Sequence, residues 1–144
     1  MSFSAIHNAL NTQLLTTPNL PTIQEENNRV KLGSGNTPWC RTTFLPTQSV
    51  VSTFGVQGMT KLNGLFQVDL FYPMNTSYET AYTMVDTIVG QFIPGKVLNN
   101  SISIMNSYAL PMRDLPISER TMPNYYIVSV MIQWQEFEQR PIIT

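Results

Sequence analysis

The run Leu65-Phe66-Gln67-Val68-Asp69-Leu70-Phe71-Tyr72-Pro73 alternates so regularly that a β-strand is the natural reading. Phe66, Val68, Leu70 and Tyr72 fall on one side, and Leu65, Gln67, Asp69 and Phe71 on the other. That is the pattern of a sheet with one core face and one mixed face. Pro73 closes the run, and an amphipathic helix follows at once, from about Ser77 to Phe92. Thr76-Ser77-Tyr78-Glu79 has the spacing of a capping box, with Thr76 accepting from the first-turn amides and Glu79 reaching back. Tyr78, Ala81, Tyr82, Val85, Ile88, Val89 and Phe92 then trace one stripe. A half-buried strand feeding a helix with a matching apolar stripe confines the chain to folds in which helices cover one side of a sheet.

The other segments extend this plan. Phe3, Ile6, Leu10 and Leu14, with Ala9 beside them, share the face of a first helix over Ser2 to Thr16, and His7, Asn8, Asn11 and Gln13 are assigned to its polar side. Asn19 to Gly35 is expected to be loop apart from a short strand near Thr22 to Glu25. Trp39, Thr42, Thr43 and Phe44 argue for a strand from Pro38 to Leu45, closed by Pro46. Ser49 to Phe54 suits a strand pairing with one that begins near Lys61, across a turn at Gly55-Val56-Gln57-Gly58-Met59-Thr60. Pro94-Gly95 ends the second helix, and strands are expected at Lys96 to Leu98, Ser101 to Leu110 and Asn124 to Phe137. In the last of these, Tyr126, Val128, Val130, Ile132 and Trp134 form an apolar row, which suits a central strand. The predicted fold class is α+β: a single domain over residues 1–144, with a mostly antiparallel sheet and two amphipathic helices packed against it.

Composition narrows the function. Hydrophobic residues make up 42% of the 144 and charged residues 12%, about half the roughly 25% of ordinary soluble domains. A net charge of -1 gives little repulsion between copies and little attraction to DNA or an anionic membrane, so self-association is favoured over nucleic-acid binding. Arg29 and Lys31 are the nearest approach to a basic cluster. No apolar run reaches the roughly 18 residues a membrane helix needs, and no signal peptide is recognisable, so a cytoplasmic, non-membrane protein is expected. The lone cysteine excludes an internal disulfide.

Reactive chemistry has few residues to use. His7 is read as a surface residue and Cys40, between Trp39 and Arg41, as a packed thiol, so no catalytic residue is assigned. The nine carboxylates are scattered across different elements, and Glu136 and Glu138 read as a solvated strand end, which leaves no metal site. Gly33-Ser34-Gly35 lacks the Lys-Ser/Thr of a phosphate loop, and no cofactor is implied. Above this background stand two connections and the methionines. Gly55 to Thr60 exposes Val56 and Met59 at a turn, and Pro111 to Pro123 is a proline-punctuated connection carrying four of the seventeen charges. Met59, Met74, Met112 and Met122 lie in connections, where an adaptable thioether suits contacts made on assembly, whereas Met84 and Met105 are read as core filler. The candidate interface residues are Val56, Met59, Lys61, Met112, Arg113, Asp114, Leu115, Ile117, Glu119, Arg120 and Met122.

Taken in order, the first helix, Pro38-Trp39-Cys40-Arg41-Thr42-Thr43-Phe44-Leu45-Pro46, the glycine-bearing turn, Gly64-Leu65-Phe66-Gln67-Val68-Asp69-Leu70-Phe71-Tyr72-Pro73, the Tyr78 to Phe92 helix and Tyr125-Tyr126-Ile127-Val128-Ser129-Val130 resemble the tail terminator, or tail completion, proteins of long-tailed bacteriophages. The glycine followed by Phe-Gln-Val-Asp-Leu-Phe-Tyr-Pro is the most specific piece, and the Pro111 to Pro123 connection departs from the family's usual character. The resemblance implies a structural virion protein without catalysis. Six copies would form a homo-oligomeric ring on the head-proximal end of the tail tube, end its polymerisation and join the head-tail connector or stopper protein. DNA would pass through the ring lumen without sequence-specific binding. The chain would belong to the tail or neck of the virion and, during assembly, to the host cytoplasm. The alternatives are a tail tube or other neck subunit, or a small non-viral adaptor domain.

Overall fold

A computed structural model describes residues 3–24, 38–47, 50–51, 59–73, 77–99, 101–110, 113–114 and 125–139. The chain runs α1 (Phe3–Leu15), β1 (Thr22–Gln24), β2 (Trp39–Pro46), β3 (Val50–Val51), β4 (Met59–Pro73), α2 (Tyr78–Gln91), β5 (Val97–Leu98), β6 (Ile102–Ala109), β7 (Arg113–Asp114) and β8 (Tyr125–Gln139). One sheet holds every strand in the order β1-β2-β4-β8-β6-β5, with β3 on the edge of β4 and β7 on the edge of β8. Only β1 and β2 are parallel; the other pairs are antiparallel. This is the expected α+β domain.

The spine is the pair β4 and β8, matched without interruption from Met59 opposite Gln139 to Pro73 opposite Tyr125. Because the side-chain period of a strand is two, this register stacks Phe66, Val68, Leu70 and Tyr72 beside Val128, Val130, Ile132 and Trp134 on one face. Both helices lie on that face. Ile6, Ala9, Leu10 and Leu14 of α1, and Ala81, Met84, Val85 and Ile88 of α2, complete a single large core.

Gly64 allows the aromatic centre of this core. It sits opposite Trp134, and a Cβ there would lie 2.7 Å from the indole, 2.6 Å from the Leu45 carbonyl oxygen and 2.9 Å from the Pro46 Cα. With no side chain in the way, the indole spreads over β4 and stacks on Phe44 of β2 at 5.5 Å with an interplanar angle of 5°. The glycine is therefore required by close approach, which is its usual meaning inside a strand.

Several expectations are corrected. The N-cap of α2 is Ser77, whose Oγ accepts from the Glu79 N–H at 3.2 Å, and Thr76 lies outside the described residues. Tyr78 and Tyr82 are exposed rather than part of the buried stripe, because the helix is rotated to bring Met84 inward. Phe3 heads the apolar face of α1 but remains 40% exposed. His7 is not on a polar face: its ring stacks on Phe44 at 5.0 Å, since α1 lies close over β2. Glu136 is buried, not a solvated end, because β6 flanks β8 there and Ser101 Oγ donates to its carboxylate at 3.4 Å. Met84 is core, whereas Met105 is exposed, since the register slips between Ile104 and Asn106 and the bulged residue turns outward. Part of the Pro111 to Pro123 connection is strand, with Arg113 opposite Ile127 and Asp114 opposite Tyr126.

Candidate assembly surfaces

The two connections singled out in the sequence leave the sheet at opposite ends. Met59 opens β4 opposite Gln139, and Arg113 pairs with Ile127 near the start of β8. Those β8 positions are separated by roughly 40 Å of strand at about 3.3 Å per residue. Lys61, half-buried, stays at the Met59 end, between Val50 on one side and Phe137 on the other. The fold thus brings Met59 and Lys61 together, and Arg113 and Asp114 together, but holds the pairs apart. Val56, Met112, Leu115, Ile117, Glu119, Arg120 and Met122 lie outside the described residues.

Sequence reasoning missed a buried polar network on the face opposite the helices. Asp69, 1% exposed, accepts hydrogen bonds from Ser129 Oγ at 2.5 Å, Gln67 Nε2 at 2.7 Å and Arg41 Nη2 at 3.2 Å. All four residues belong to the same face by register: Arg41 opposes Asp69 across β2 and β4, and Ser129 opposes it across β4 and β8. One rung further, Trp39 stacks on Phe71 at 3.9 Å, and the Arg41 guanidinium lies 5.3 Å from the Phe71 ring centre. The available signal was an Asp at an alternating position among large apolar residues, since a carboxylate there must find donors.

At the same end, on the helix side, four tyrosines gather. Tyr72 and Tyr126 lie 6.1 Å apart, Tyr78 meets Tyr126 edge-on at 5.4 Å, and the Tyr126 hydroxyl donates to the Ser77 carbonyl at 3.3 Å. Burial, then Tyr126 and Cys40, pushes the Tyr72 hydroxyl up to about 12. Burial, followed by Tyr78 and Tyr82, also raises Tyr126. Beside them an open groove of about 720 Å³ is lined by Leu20, Pro21, Pro38, Tyr72 and Met84, with Glu79 at its wall. It offers apolar contact area and one carboxylate.

Cys40 is a packed thiol, fully buried, with its Sγ 3.5 Å from the Pro21 carbonyl oxygen. Burial, with the charge of Asp69 second, pushes it up to about 12, so the nucleophilic thiolate is suppressed. His7 stacks on Phe44, which lies four residues along β2 from Cys40, about 13 Å further along the strand. No group of three or more His, Cys, Asp or Glu able to hold a metal occurs among the described residues, and no helix of the described chain is long and apolar enough to cross a membrane.

The described residues thus form an α+β domain with a buried polar network and a tyrosine cluster at one end of its sheet. Residues 5–134 match the family described as phage tail terminator protein, and the chain belongs to that family. It is a structural protein of the phage tail. One solved structure shares the fold at a TM-score of 0.67 and 16% identity, covering 98% of this chain and 99% of the other; its name describes no function. No curated protein matches the chain.

Proposed function

We propose that residues 1–144 act as one domain in a ring of six copies that caps the head-proximal end of the tail tube. The ring ends tube polymerisation and joins the tail to the connector or stopper protein, without catalysing a reaction. The observation that carries this reading is the placement of the two connections at opposite ends of the β4 and β8 pair in a member of the terminator family. A subunit that must meet the tube on one side and the connector on the other needs two separated contact regions. Met59 and Lys61, with Val56, serve one end; Arg113 and Asp114, with Met112, Leu115, Ile117, Glu119, Arg120 and Met122, serve the other. Neighbours in the ring meet through unlike surfaces, and closure limits growth. Subunits collect in the host cytoplasm and end in the neck of the virion.

Imaging of assembled tails carrying a tagged copy of this chain tests the proposal. The expected result is one discrete ring at the head-proximal end. Copies spread along the whole tube would identify a tube subunit and overturn the terminator reading.

A further inference from the structure

We propose that copies of the chain join margin to margin: a ridge at the β5 edge of one copy, carrying Ile93, Lys96 and Val97, docks into the groove at the β1 edge of the next, where Glu79 receives Lys96. This rests on the ring reading and names the contact between neighbours. The two surfaces lie at opposite margins of the molecule, since β1 and β5 are the terminal strands of the sheet order. A contact between unlike margins is head-to-tail, the kind that closes into a ring when its rotation divides the circle.

The groove forms where two neighbouring strands begin. Pro21 stands just before β1 and Pro38 just before β2, and with Leu20, Tyr72 and Met84 they leave an open, largely apolar trough of about 720 Å³ against α2. Glu79 is exposed at its wall, has no ion pair among the described residues, and belongs to a helix that carries no Lys or Arg. The ridge opposite is firmly held. The Gly95 N–H donates to the Ile104 carbonyl at 2.8 Å, the Ile104 N–H to the Lys96 carbonyl at 2.8 Å and the Lys96 N–H to the Ile93 carbonyl at 3.0 Å. Fixed in this way, Ile93 and Val97 are still 56% and 53% exposed. Lys96 lies between them in sequence, likewise without an ion pair among the described residues.

Each margin supplies what the other lacks. Two aliphatic side chains meet an apolar trough, and a cation meets a carboxylate. Removing the aliphatic groups from water supplies most of the attraction, while an ion pair at the rim adds little to it but selects the partner and penalises wrong registers. Arg41 is already engaged by Asp69, and Lys61 stands at the Met59 end between Val50 and Phe137, so Lys96 is the cation that the β5 margin presents. The contact also orients the subunit. Along β8, roughly 30 Å separates Tyr126, beside the groove, from Gln135, whose partner Ser103 pairs with Val97, and the sheet from β1 to β5 is about 24 Å wide. A ring built on this contact therefore inclines its strands to the ring axis.

The test uses whole phage and a charge exchange. Glu79→Lys and Lys96→Glu, each placing like charges across the contact, are expected to lose most of the infectious titre and to leave unjoined heads and tails, and the double exchange is expected to regain most of it. Parental titre from both single variants, or a double variant as defective as the singles, overturns the assignment. Rescue also separates the contact from a local effect on α2, because the cost of a lysine in the first turn of that helix would persist in the double variant. A second measurement needs no charge change: Thr80→Cys, exposed beside the groove, is combined with Val97→Cys in a Cys40→Ala background, and purified tails are treated with a short bis-maleimide. The two positions lie too far apart within one subunit for that linker, so the expected product is a ladder of linked subunits on a denaturing gel, absent from either single-cysteine control. Unlinked monomer from joined tails overturns the inference. A ring seen at the tail end with either adverse result refutes this contact alone, whereas absence of a ring refutes the proposed function.

Discussion

The two faces of one sheet solve the burial problem in opposite ways. On the helix side, strands and helices interlock through side chains such as Phe66, Val130, Ile132, Leu10 and Ile88, and stability comes from apolar area removed from water. On the other side, burial is confined to one end, where Trp39 and Phe71 stack and Asp69 is held by Ser129, Gln67 and Arg41. The remainder of that face mixes half-buried amides and hydroxyls, such as Gln67, Asn63 and Gln133, with Lys61, half-buried Leu65 and Met131, and exposed Leu45 and Phe137. The same alternating strands thus build a dense core on one side and, on the other, a mixed polar and apolar surface anchored by one buried polar network. The first sets the fold, and the second is free to be shaped by what the subunit faces.

The largest loss is expected on the core side. Trp134→Ala should lower stability by about 3–5 kcal/mol, as large aromatic truncations in cores do. Gly64→Ala should cost about 1–3 kcal/mol through overpacking against the same indole. Combining them sharpens the point: the added methyl in Gly64→Ala still meets the Leu45 carbonyl and the Pro46 Cα, so removing the indole relieves only part of its cost. Urea titrations of the four proteins measure this. A neutral Gly64→Ala would show that the strands are not so closely drawn.

On the opposite face the expected effect is smaller. Asp69→Ala should cost about 2 kcal/mol, because it leaves donors on Ser129 and Gln67 without their acceptor. Asp69→Asn should cost less, since its carbonyl oxygen still accepts. Removing Arg41 should cost under about 1 kcal/mol, because that side chain is 38% exposed and its ion pair is screened. If Arg41→Ala proved as damaging as Asp69→Ala, the network would be an ionic lock rather than a set of hydrogen bonds.

The smallest effects concern the reactive side chains. His7→Gln and Cys40→Ala should leave particles infectious, with a packing cost of about 1 kcal/mol for the lost stack of His7 on Phe44. Cys40 adds a pH signature. Its folded thiol titrates near 12 against 9.0 for the ordinary group, so the unfolded chain loses the proton first as pH rises. The stabilising contribution is present below pH 9.0 and is lost as pH climbs toward about 12. Tyr72 adds a parallel loss from 10.0 to about 12. Denaturation across this range should show stability falling with pH, and Cys40→Ala should remove the portion that begins lowest. An unchanged slope would mean that the thiol is not sequestered.

Local patterns were enough to read the α+β class, both helices, the pairing of Val50 and Val51 with the start of β4, and the central place of β8, because alternation and helical spacing are written in neighbouring residues. The resemblance carried by Gly64 to Pro73 likewise pointed to the terminator family. What the chain alone left open depends on partners distant in sequence. Gly64 is a glycine because Trp134 crosses it, and Glu136 is buried because β6 lies beside it. His7 belongs to an aromatic stack because α1 settles over Phe44. Asp69 becomes a structural anchor only when β2 and β8 bring Arg41 and Ser129 to its rung. Period decides which way a side chain points; register and packing decide what it meets, and the energy of a buried polar group depends on that meeting.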